Sequence, residues 1–148
     1  MLKKVIIGVV CIVVLLIIGV AILFFVTGNA AKLTEYELGG DKLPSVNAVI
    51  GETRKVTGVT SNVSSGVQQK QYTYESASVT KDLAMYTTRL RDNGWIVTKS
   101  YDFSANSGEA QLGKESIDQG QILLMSIAFE QNRYAIKITK AVGQLNRK

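Results

Sequence analysis

The sequence predicts an α+β domain, one helix packed on a curved antiparallel sheet, carried behind an N-terminal transmembrane helix. Three observations carry that expectation. Residues 5–26 form an unbroken apolar window; beyond residue 46 the side chains alternate with a period of two; and one helical stripe, Val79, Leu83, Tyr86 and Leu90, interrupts the alternation. The chain has 148 residues, and removing the first 27 leaves about 120, enough for one modest core.

The apolar window is read as a membrane span. Its 22 residues contain no charge, amide or proline. As a helix they extend about 33 Å, matching a hydrocarbon core of about 30 Å. A cleaved signal peptide would have an apolar region of about 7–15 residues, so a signal anchor over 5–27 is expected. Gly28-Asn29-Ala30 resembles a small-x-small cleavage site, which keeps secretion after cleavage near Ala30 as a remote alternative. Lys3 and Lys4 precede the span, while Lys32 is followed by Glu35 and Glu37 beyond it. The positive-inside rule therefore puts residues 1–4 in the cytoplasm and the rest outside. Gly8, Cys11 and Gly19 lie near one face of this helix and offer a weak route to a helix-mediated dimer. Cys11 lacks the small residue that usually precedes a lipidated cysteine, and no glutamate inside the span supports a pilin-like subunit.

Residues 28–45 mix Thr, Gly, Asn, Lys and Glu without period and are expected to form a short tether, with a helical turn near Leu33 to Leu38. Gly39-Gly40-Asp41 is a turn cluster within it. The outer domain is expected over 46–142, with a tail at 143–148. Val56 to Thr60 and Gln71 to Glu75 read as a hairpin closed by a five-residue turn at 62–66. The helix follows, with Ser78 or Thr80 as its cap, Asp82 at its positive end, Arg89 and Arg91 at its negative end, and Asn93-Gly94 as its stop. Four strands are expected after it, at 95–103, 111–117, 122–130 and 134–139. The third, apolar on both faces, is expected to be central. The order β-β-α-β-β-β-β with short loops favours antiparallel neighbours and one covered face.

Composition excludes several chemistries. The chain has no histidine, and its one cysteine lies inside the apolar window, so imidazole catalysis, zinc sites and intrachain disulfides fall away. No calcium loop, P-loop or dinucleotide fingerprint occurs, and no cofactor is expected. The net charge of +5 is too mild to imply a nucleic-acid partner. Ser78 and Lys81 have the spacing of a serine–lysine pair, but a serine at a helix start is ordinary capping. Glu75, Asp102, Glu109, Glu115 and Glu130 fall on strand ends or polar faces, where carboxylates stand in water rather than as a glycosidase pair.

A candidate recognition surface remains: Tyr72 and Tyr74 on an otherwise polar strand, with Arg89 and Arg91 on the helix. Trp95 and Tyr101 are assigned to the core. Arg89, Arg91 and Lys99 could form a basic edge toward anionic lipid or wall polymer. Asn62-Val63-Ser64 matches a glycosylation sequon and is read as turn chemistry. The expected function is a non-enzymatic, single-pass protein-interaction module of the cell envelope; the alternative is a wall-polymer or glycan-binding module.

Overall fold

A computed structural model of the chain describes residues 26–146. The expected span at 5–27 lies outside the described residues apart from its last two, as do residues 1–4 and Gly8, Cys11 and Gly19. No helix among the described residues is long and apolar enough to cross a membrane. Residues 26–31 are helical. They are followed by β1 (Glu35–Leu38), β2 (Asp41–Pro44), α1 (Val46–Ile50), β3 (Lys55–Ser64), β4 (Val67–Glu75) and α2 (Val79–Asp92). Then come β5 (Ile96–Lys99), β6 (Gly108–Glu115), β7 (Gln121–Phe129) and β8 (Arg133–Val142).

The expected α+β class is met by a six-stranded antiparallel sheet of order β3-β4-β8-β7-β6-β5. The β3–β4 hairpin comes first. From β4, α2 carries the chain to β5 at the far edge, and a meander through β6, β7 and β8 returns to pair with β4. β7 is thus interior, as expected, between β8 and β6, with Leu123, Met125, Ile127 and Phe129 buried on one of its two faces. Alternation assigns the faces. Tyr134, Ile136, Ile138 and Lys140 of β8 stand opposite Tyr74, Tyr72, Lys70 and Gln68 of β4 and share one face. Leu123, Met125, Ile127 and Phe129 of β7 continue that face, and Val79, Leu83, Tyr86 and Leu90 of α2 join it in one buried cluster.

Helix α2 stops as expected, with Gly94 in the left-handed region at φ 86°. Its start differs. The Ser78 side chain makes no capping bond; instead the Ser78 N–H donates to Ser76 Oγ at 2.9 Å, and Thr80 Oγ1 donates to the Phe103 carbonyl at 2.6 Å.

Further expectations are corrected, and the strand expected at 95–103 ends at Lys99, with residues 100–103 outside any strand. The tether at 28–45 contains a β-hairpin: β1 and β2 pair through Tyr36/Leu43 and Leu38/Asp41, and their Tyr36, Leu38 and Leu43 side chains are buried in the core. Gly39 and Gly40, with φ of 54° and 86°, supply the left-handed pair that a two-residue turn requires. Four-residue strands carry too little periodicity to stand out in sequence, and a Lys and two Glu obscured them. Residues 46–50 are likewise a helix, capped by Ser45 Oγ, which accepts from the Ala48 N–H at 3.2 Å. The turn expected at 62–66 shrinks to Ser65-Gly66, because Asn62 and Val63 pair with Gln69 and Gln68. Polar residues there are an exposed strand surface rather than a loop.

Candidate interaction surfaces

Tyr72 and Tyr74 do not form a surface. They are 4% and 0% exposed. Tyr72 stacks on Tyr36 with ring centroids 4.4 Å apart, and Tyr74 stacks on Tyr134 at 5.3 Å. The hydroxyls of Tyr36 and Tyr74 hydrogen-bond each other, the Val46 N–H donates to Tyr36 Oη, and Tyr86 donates to the Pro44 carbonyl. The correction has a simple cause: the β1–β2 hairpin, unseen in the sequence, covers that part of the sheet. Burial raises the Tyr74 hydroxyl to about 12, and raises Tyr36, Tyr72, Tyr86 and Tyr134 as well. Arg89 and Arg91 are exposed on the last turn of α2, away from both tyrosines. The four residues expected to act together are therefore separated. Trp95 is buried as expected, while Tyr101 is half-buried and stacks on Phe103.

Two buried ionic clusters stand where no motif marks them in the sequence. In one, Arg54 clamps Asp82 through Nε at 2.7 Å and Nη2 at 2.8 Å, while Ser76 Oγ and Tyr134 Oη donate to the same carboxylate at 2.6 and 3.3 Å. Burial would raise the Asp82 carboxyl, but these donors outweigh it and hold the group below the usual carboxylate range. In the other, Lys140 Nζ lies 2.8 Å from Asp41, 2.5 Å from Asp118 and 2.6 Å from the Gly39 carbonyl. Ser116 Oγ and the Ile117 N–H donate to Asp41 at 2.6 and 2.9 Å. Asp41 is lowered and Lys140 raised, in each case because these partners outweigh burial. Parity could have revealed Lys140, which follows Tyr134, Ile136 and Ile138 on the buried side of β8.

Both clusters are saturated. Among the described residues no buried side-chain nitrogen or oxygen lacks a partner, and no group of acidic residues is arranged to hold a metal. The carboxylates singled out in the sequence are exposed. Glu75 pairs with Lys55 at 3.2 Å, Glu109 with Lys99 at 2.8 Å and Glu130 with Arg133 at 2.7 Å, while Asp102 accepts from Ser104. The Lys81 side chain is 66% exposed, with Nζ 3.9 Å from Glu52, and Ser78 is only half-buried.

The opposite face of the sheet is different in character. Gln69, Gln71 and Thr73 of β4 stand opposite Thr139, Lys137 and Ala135 of β8, with Ser126 and Ala128 of β7 beyond them. Ala128 is exposed and Ser126 and Ala135 half-buried, so small side chains form a floor along the two central strands. Two shallow grooves of about 440 and 190 Å³ run over it, walled by Glu109, Glu130 and Arg133 at one end and by Gln71, Gln111 and Lys137 nearer the middle. Leu145 of the tail closes the far end: a Cβ on Gly113 would lie 2.8 Å from Leu145 Cδ2. In comparison with known proteins, the chain matches no family model, no curated protein and no solved structure.

Proposed function

We propose that the chain is a single-pass membrane protein, N-terminus cytoplasmic, whose extracytoplasmic domain is a non-enzymatic module binding a protein partner on the open face of its sheet. The carrying observation is that face. A solvent-only surface on central strands would ordinarily hold long charged side chains; here Ser126, Ala128 and Ala135 leave a groove that a partner segment can enter. Gln71, Gln111, Lys137 and Glu109 around it supply donors and acceptors of both charge signs, suited to peptide groups. The anchor rests on the apolar window at 5–26 and the two lysines before it. Burial of Tyr72 and Tyr74 removes the aromatic platform on which the glycan alternative rested.

The test uses the full chain in cells, with photo-crosslinking residues at Gln71 and Lys137. A discrete crosslinked protein is expected from both positions. A heterogeneous smear that collapses on wall digestion would replace the protein partner with a polymer, and no crosslink from either position would end the open-face reading. The anchor is checked separately: the chain should stay in the membrane fraction at alkaline pH and lose its domain to protease added from outside.

A further inference from the structure

The two edges of the sheet are unequal. β5 is four residues long, is bulged between Val97 and Lys99, and carries the Lys99–Glu109 ion pair, all features that discourage another strand. β3 has ten residues, and beyond its bulge at Gly58 the segment Val59, Thr60, Ser61, Asn62, Val63, Ser64 carries no charge and no proline. Thr60 through Ser64 are exposed, Val63 to 72%.

The register of the hairpin says which backbone groups face outward. Ser65 and Gly66, with φ of 51° and 78°, form a two-residue turn closed by the Ser64/Val67 pair. Such a turn closes on a hydrogen-bonded pair, and antiparallel pairs alternate. Ser64, Asn62 and Thr60 therefore bond to β4, while the N–H and C=O groups of Val63, Ser61 and Val59 point away from the sheet.

We propose that this edge pairs antiparallel with β3 of a second copy, about a two-fold axis through Ser61, joining two sheets into one. In that register Ser61 faces Ser61, and Val59 faces Val63 of the other copy. All the outward groups of the three residues are then used, making about six hydrogen bonds. The pairing covers the exposed Val63 with a β-branched partner and brings no charge opposite a like charge. A second copy is favoured over another chain because the segment is complementary to itself in this register. The axis stands perpendicular to the sheet, so both covered layers lie on one side of the joined sheet. Residues 26–31 belong to that layer through Ala30 in the core and the Asn47 bond to the Ala31 carbonyl. Both chains thus approach from the same side, as two copies anchored in one membrane must. The edge is separate from the open face, and a partner there leaves it free.

The experiment uses the full chain in its membrane, with Cys11→Ser as background. Ser61→Cys puts a thiol opposite its own copy at a Cα separation of about 5.5 Å, within disulfide range. Thr98→Cys, on the guarded edge, is the control. Under mild oxidation Ser61→Cys is expected to form a covalent dimer at least ten times faster than Thr98→Cys. Val63→Pro, which deletes an outward N–H and spares the bonds to β4, should lower the Ser61→Cys rate by at least ten-fold while the domain keeps its native resistance to limited proteolysis. Equal rates at Ser61 and Thr98 would overturn the proposal whether or not the proline variant folds. So would an adduct whose mass is not twice that of the chain. Neither result bears on the crosslinks from Gln71 and Lys137, so the two readings fail separately.

Discussion

Arg54 and Asp82 form a two-pronged ion pair, Nε to Oδ2 at 2.7 Å and Nη2 to Oδ1 at 2.8 Å, that ties the segment before β3 to the first turn of α2. The carboxylate is 1% exposed and the guanidinium side chain 18%. Removing the cation leaves a buried anion with only neutral donors. Arg54→Ala is expected to cost about 3–5 kcal/mol in urea unfolding. Arg54→Lys keeps the charge without the fork and should recover only part of that loss. A cost under about 1 kcal/mol for the alanine variant would mean that water replaces the guanidinium.

The response to pH follows from the same clusters. Asp41 and Asp82 have lowered folded-state values, so their contribution is complete above the unfolded value of about 3.9 and fades as pH falls through the lowered ones. Lys140 and the buried tyrosines are raised, Tyr74 to about 12. Their contribution is complete below about 10 and is lost as pH climbs through the raised values. With no histidine in the chain, the melting temperature should be level between about pH 5 and 9 and fall outside that range. A marked decline between pH 7 and 5 would contradict this assignment.

Asn47 holds the beginning of the domain in place. Its Nδ2 donates to the Ala31 and Arg54 carbonyls at 2.9 and 3.1 Å, and its Oδ1 accepts from the Arg54 N–H at 3.0 Å. Ser45 adds a bond from Oγ to the Leu33 carbonyl at 2.5 Å. Asn47→Ala should destabilise by about 2–3 kcal/mol and speed amide exchange at Leu33, whose N–H bonds the Ala30 carbonyl. Unchanged exchange there would show that the docking does not depend on Asn47.

Gly108 lies where β6 meets Phe129, and a Cβ there would stand 2.8 Å from Phe129 Cζ. Phe129 is buried and meets Phe103 edge-on at 5.3 Å, which limits how far its ring can yield. Gly108→Ala is expected to cost about 1–3 kcal/mol by overpacking, whereas Gly28→Ala, at a helical position where nothing lies within 4 Å, should not destabilise.

Much of the fold could be read along the chain. The helix from Val79, the last three strands, and Tyr72 and Tyr74 sharing one side of β4 were all legible, because side-chain period is a property of neighbouring residues, while the strand expected at 95–103 is confined to Ile96–Lys99. The interior position of β7 was also legible, from its run of apolar residues, although only one of its faces is covered and Ser126 and Ala128 stand on the open one.

The candidate surface was not legible. Alternation divides β4 into two faces without saying which is covered, and the cover comes from β1 and β2, whose short strands carry a weak signal. That long-range contact reversed the expectation for Tyr72 and Tyr74 and left Gln69, Gln71 and Thr73 facing water. The Arg54–Asp82 and Lys140–Asp41 pairs are likewise contacts between distant segments, for which a charge in the sequence names no partner. Periodicity along the backbone is local, so it specified the elements and their order. Strand neighbours, covered faces and buried charges depend on which segments meet across the core, and only the folded chain determines that.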